Sequence, residues 1–158
     1  MATGKYYGSE RKPFQGQGSG GGIDSMAEQY VPSISKILLF EKASPDDIKI
    51  GVEMIERLVR SNKRVTTHQI RNIYSLIQDL GEEDKEKRLK ELHRLRPKLA
   101  YIGARQREID GKIIIKVLDE LIKTIDLKDG EDNVIKKIKG LHYIMESIVA
   151  YHKFHSNN

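Results

Sequence analysis

The sequence predicts an all-α fold, a compact bundle of five to six helices behind a disordered Gly-rich N-terminal tail. Three observations carry this reading. Apolar residues recur at three- and four-residue intervals from Ile34 to Val149, capping residues mark two helix starts, and no segment sustains the apolar/polar alternation of a strand. Ile113 to Ile115 alone would pass for a buried strand.

Residues 1–25 form the expected tail: Gly, Ser, Gln and charge dominate up to Gly22, too little apolar surface to fold. Residues 26–158 are expected to make a single helical-bundle domain. Pro32-Ser33 precedes a short helical pattern of Ile34, Ile37, Leu38 and Phe40. Ser44 then stands before Pro45, Asp46 and Asp47: a capping hydroxyl, a proline suited to the first helical position, and acids facing the positive end of the helix dipole. The helix runs from Pro45 to about Ser61 and buries Ile48, Val52, Ile55 and Val59.

Thr66 and Gln69 have capping-box spacing and open a helix carrying Ile70, Ile73, Tyr74, Ile77 and Leu80, which Gly81 stops. Glu82 to Leu95 is a charged helix with Leu89, Leu92 and Leu95 inward. Pro97 removes a backbone donor and clashes with the preceding turn, so a break is expected at Arg96, with a new helix running to about Ile109. Asp110-Gly111 reads as a turn. Ile113 to Ile125 gives a broad apolar helix face. A loop from Asp126 to Asn133 leads into a long last helix that buries Ile138, Leu141, Ile144, Met145 and Ile148.

At 158 residues and 38% hydrophobic content the chain suffices for one domain. It has no cysteine, which excludes disulfides and thiolate metal sites. With no apolar run near the roughly 20 residues of a membrane span and no signal-peptide core, a cytoplasmic protein without membrane partners is expected. The net charge of +5 favours polyanions, and its distribution says more. Arg57, Arg60, Lys63, Arg64 and Arg71 lie in an acid-free stretch, as do Arg94, Arg96, Lys98, Arg105 and Arg107, while acids gather at Glu82 to Glu91 and Asp119 to Asp132. The folded domain should have a basic side.

The most informative segment is Leu95 to Gln106. Arg94, Lys98, Tyr101 and Arg105 are spaced four, three and four apart and form one helical stripe, beside an apolar seam of Leu95, Leu99 and Ile102. Such a stripe suits a nucleic-acid backbone or is simply a solvated face. Tyr101 either packs in the core with its hydroxyl at the surface or contacts a base or ribose. Arg71, at the edge of a buried face, would pair with a carboxylate as readily as with phosphate.

The histidines form only pairs at ligand spacing, His152 with His155, whereas zinc needs three or four converging ligands; neither a metal nor a cofactor is expected. No nucleophile motif or phosphate-cradling loop is present, since the Gly16 to Gly22 run precedes no strand. The protein is therefore read as a non-enzyme. A small ribonuclease using His142 or His152 as general base ranks last, for want of a partner acid.

Three motifs in order, Thr67-His68-Gln69-Ile70-Arg71, then Leu95-Arg96-Pro97-Lys98-Leu99-Ala100-Tyr101 with Arg105 downstream, and Ile148-Val149-Ala150-Tyr151-His152-Lys153-Phe154, resemble the small subunit of type III-A CRISPR effector complexes, the Csm complexes. The similarity covers about residues 44 to 155. One departure is Gly103, displaced by one position from the glycine that often precedes the family's arginine. The resemblance implies an all-helical, non-catalytic subunit of the interference complex, stacked in several copies along guide RNA and target RNA among the other Csm subunits. Cleavage would belong to those other subunits. It further implies RNA contacts at Arg71, Lys98 and Arg105, and Tyr151, His152 and Lys153 match its C-terminal signature. Together with the basic stretches, the candidate RNA-binding set is Lys63, Arg64, Arg71, Arg94, Lys98, Tyr101, Arg105 and Lys153. Contact would be to the RNA backbone, without sequence preference. The alternative is a helical protein–protein scaffold or dimeric adaptor with no nucleic-acid role.

Overall fold

The computed structural model describes residues 20–80 and 85–156. Among these residues there are seven α-helices and no strand: α1 (Gly20–Glu28), α2 (Val31–Ser35), α3 (Pro45–Ser61), α4 (Thr67–Gln78), α5 (Lys85–Ala104), α6 (Ile109–Lys123) and α7 (Glu131–Ser156). A 3-10 segment, Lys36–Lys42, follows α2, and a shorter one, Leu127–Asp129, precedes α7. The fold is all-α as expected. Its helix count exceeds five to six because α1 and α2 are separate short helices.

Where capping chemistry is explicit, the ends fall where the sequence puts them. The Ser44 hydroxyl accepts from the Asp47 amide and α3 spans Pro45–Ser61. Thr66 and Gln69 exchange both capping-box bonds at the start of α4. The expected Gly81 stop and the Glu82 to Asp84 start lie outside the described residues.

Four boundaries differ. Residues Gly20 to Ser25, assigned to the tail, open α1, because Ile23, Ala27 and Tyr30 pack onto the core. The α5 helix continues through Pro97 instead of breaking at Arg96. Leu92, Leu95 and Leu99 are buried on both sides of the proline, so a break would pull apolar surface from the core. His93 and Pro97 are exposed, which leaves the His93 carbonyl, deprived of its donor, within reach of water. The chain leaves α5 at Ala104, and α6 begins at Ile109, so Asp110 and Gly111 lie in its first turn rather than in a turn of their own. Ile113 to Ile115 are helical within α6. The last helix also starts earlier, at Glu131, preceded by Gly130 with φ of 82°.

The 26-residue α7 is the spine of the bundle, touching α3, α4, α5 and the Lys36–Lys42 segment. That segment crosses so near α7 that a β-carbon on Gly140 would fall on the backbone of Leu38, so only glycine fits. The other layer is α6, packed against α1 and α5. Ile114, Leu118, Leu121 and Ile122 of α6 join Ile55, Ile70, Ile73, Leu99, Leu141 and Ile144 in one core. The amphipathic α5 lies at its edge, with one face buried and the other in solvent.

Candidate nucleic-acid interface

The α5 stripe forms as its spacing requires. Leu95 and Leu99 are buried and Ile102 partly so, which turns Arg94, Lys98 and Tyr101 outward. Arg94 and Lys98 line a shallow groove of 200 Å³ with Leu76, Asp79 and Leu80 from the end of α4 and Glu91 from α5. Neither cation has an ion-pair partner among the described residues, so both stay available to an external anion.

At the C-terminal end of α5, Tyr101 is 63% exposed, which decides against its packing in the core. Arg105 lies just beyond the helix. Its backbone amide donates to the Tyr101 carbonyl at 3.3 Å, and its guanidinium carbon sits 5.6 Å from the Tyr101 ring centroid. The Arg105 Nη1 approaches the Tyr101 hydroxyl at 3.5 Å. A cation is thereby held over one aromatic face, an arrangement that suits a phosphate beside a base or ribose. Gly103 is buried and faces Ile115 of α6, where a β-carbon would make only ordinary contact, so it belongs to the helix–helix packing rather than to the stripe.

The remaining candidates are dispersed. Arg71 is exposed on α4 with no ion pair among the described residues. Lys63 lies in a separate 560 Å³ cleft along α3 with Glu53, Glu56, Arg57, Arg60 and Ser61. Arg57 and Arg60, which share the acid-free stretch with Lys63, line the same cleft. Arg64 is exposed but already partnered: Nη1 donates to Glu108 at 3.0 Å and its backbone amide to Asp110 at 3.0 Å. The Glu108 hydrogen bond raises the guanidinium above its usual pKa. Lys153 is exposed on α7 beside exposed Phe154.

Arg96 points away from the stripe. Its Nε donates to Asp119 of α6 at 2.8 Å, and this bond raises the guanidinium pKa against the opposing effect of burial. The Arg96–Asp119 pair borders a 710 Å³ groove lined by Ile23, Pro97, Ala100, Ala104 and Ile115, separate from the cationic face.

The histidines fall into structural roles. His152 is buried and bonds the Val65 carbonyl, while His155 meets Glu56 at 3.1 Å. Among the described residues no group of three or more His, Asp or Glu side chains converges as a metal site would require. No described helix is long and apolar enough to cross a membrane.

No curated protein and no solved structure matches the chain. The family described as Csm2 Type III-A, by contrast, matches residues 46–158, which takes in α3 to α7 and every candidate residue above. The helical fold, the basic stripe and this match over most of the sequence agree: the chain belongs to the Csm2 family, the small subunit of type III-A Csm complexes.

Proposed function

We propose that this subunit binds RNA through the α5 stripe by neutralising backbone phosphates, without reading sequence and without catalysing a reaction. The observation that supports it is the alignment of Arg94 and Lys98, both free of ion-pair partners among the described residues, with the exposed Tyr101–Arg105 pair. Long cations and one aromatic ring suit phosphate and ribose contact, whereas the fold offers no aromatic-rich sheet for reading bases. Guide pairing supplies specificity, and the protein recognises backbone and shape along guide RNA and target RNA. Within the cytoplasm, several copies stack head to tail through a heterologous interface that does not close into a ring. Each copy binds weakly and the array binds well.

Fluorescence anisotropy of a labelled single-stranded RNA across a salt series tests this, with the protein alone and with the other complex subunits. With about three phosphates neutralised per copy, log affinity should fall with log salt at a slope near −2. Sequence-blind binding that tightens with the other subunits is the expected result. No binding in either setting, together with a salt-insensitive homodimer, would make the protein an adaptor.

A further inference from the structure

Arg88, in the first turns of α5, is 9% exposed, and its Nε has no hydrogen-bond partner among the described residues. A buried guanidinium nitrogen left without a hydrogen-bond partner is costly, and an anion that the group can bond offsets that cost.

Arg88 is one wall of a 450 Å³ cavity between the start of α5 and the middle of α7, which also presents Lys139, His142, Tyr143 and Glu146. Lys139 has no ion pair among the described residues. Burial holds His142 below its ordinary pKa, with Glu146 acting the other way, so near neutral pH it contributes a neutral hydrogen-bonding ring. Glu146 is exposed and has no ion pair with Arg88 or Lys139 among the described residues. Among the described residues that line the cavity, the two cations Arg88 and Lys139 face one exposed acid. Leu80 belongs both to this cavity and to the Arg94–Lys98 groove, so the two adjoin while sharing no charged residue.

We propose that Arg88, Lys139 and His142 form an oxyanion pocket that takes one phosphate group, a site separate from the α5 stripe. The forked guanidinium supplies directional donors to the phosphate oxygens, Lys139 a mobile charge at the mouth, and the imidazole a neutral hydrogen bond. The phosphate comes from RNA or from a small phosphorylated ligand. The proposal does not depend on the stripe being an RNA site.

Calorimetric titration of the full chain with inorganic phosphate, and separately with a short oligoribonucleotide, at fixed ionic strength distinguishes the sources. For inorganic phosphate we expect saturable uptake, weakened roughly tenfold or more in Arg88→Gln and several-fold in Lys139→Ala. Lys98→Glu with Arg105→Glu should leave that uptake unchanged. Dependence on Arg88 and Lys139 seen only with the oligoribonucleotide would keep the pocket and assign its phosphate to RNA. Because Lys139 is exposed, its variant keeps the fold and remains informative if Arg88→Gln unfolds. Indifference of both probes to Lys139→Ala and Arg88→Gln would overturn the proposal. So would a wild-type protein that ignores phosphate while Arg88→Gln is strongly destabilised, since Arg88 would then be offset by a carboxylate of its own chain.

Discussion

The Nε2 atom of His152, near the C-terminal end of α7, lies 2.7 Å from the carbonyl oxygen of Val65, just ahead of α4. A carbonyl only accepts, so Nε2 carries the proton and donates. His152 is 5% exposed, and this bond ties the C-terminal end of α7 to the segment just ahead of α4. A ring so placed is a buried clamp, and its bonded nitrogen is not free to act as a base toward RNA. Replacing His152 with Ala should destabilise the protein by about 2–4 kcal/mol, through the cavity and the unmet Val65 carbonyl. Urea unfolding measures this; an unchanged midpoint would show that the bond contributes nothing.

Reversing charge on the stripe should separate binding from folding. Lys98 and Arg105 are exposed, so Lys98→Glu with Arg105→Glu is expected to leave far-UV circular dichroism unchanged. RNA association should vanish at moderate salt. At low salt the slope of log affinity should shrink from near −2 to about −0.7, as two of about three phosphate contacts disappear. Wild-type affinity in this double variant would remove the stripe from the binding surface.

Pro97 sits inside α5 without a donor for the His93 carbonyl. Because Leu95 and Leu99 already hold the helix in place, Pro97→Ala should restore that bond and raise stability by about 1–3 kcal/mol. Thermal melting reads the change. A lower melting temperature would mean that the proline shapes the packing of α5 on α6.

Acid should loosen the junction of α6 and α7. Lys137 Nζ donates to Asp129 at 2.6 Å and to the Thr124 carbonyl at 3.0 Å. The Lys137 hydrogen bond holds Asp129 below its ordinary value of 3.8, against the effect of burial. A carboxylate with a depressed folded pKa contributes stability above its unfolded value and loses it as pH falls through the folded one. The contribution should therefore persist down to about 3.8 and fade below it. Lys137→Met should destabilise by about 1 kcal/mol near neutral pH and flatten the acid limb of the stability curve. An unaltered acid limb would place the pH dependence in other carboxylates.

What the sequence determined by itself was local. The starts of α3 and α4 were legible because Ser44 and the Thr66–Gln69 pair satisfy backbone donors within three residues, and no distant contact is needed to write such a signal. The outward stripe of Arg94, Lys98 and Tyr101 was legible for a similar reason: once Leu95 and Leu99 face the core, helical geometry points the others away. Tertiary structure decided which polar groups find partners within the chain. Glu108 and Asp110 capture Arg64 from more than forty positions away, Asp119 takes Arg96 out of the basic stretch, Val65 buries His152, and α7 closes over Arg88. It also carried α5 through Pro97, because burial of leucines on both sides outweighs one backbone bond. Capping and periodicity act over a few residues of one chain segment, whereas desolvation and ion pairing depend on what another segment brings alongside, and that is settled only when the helices pack.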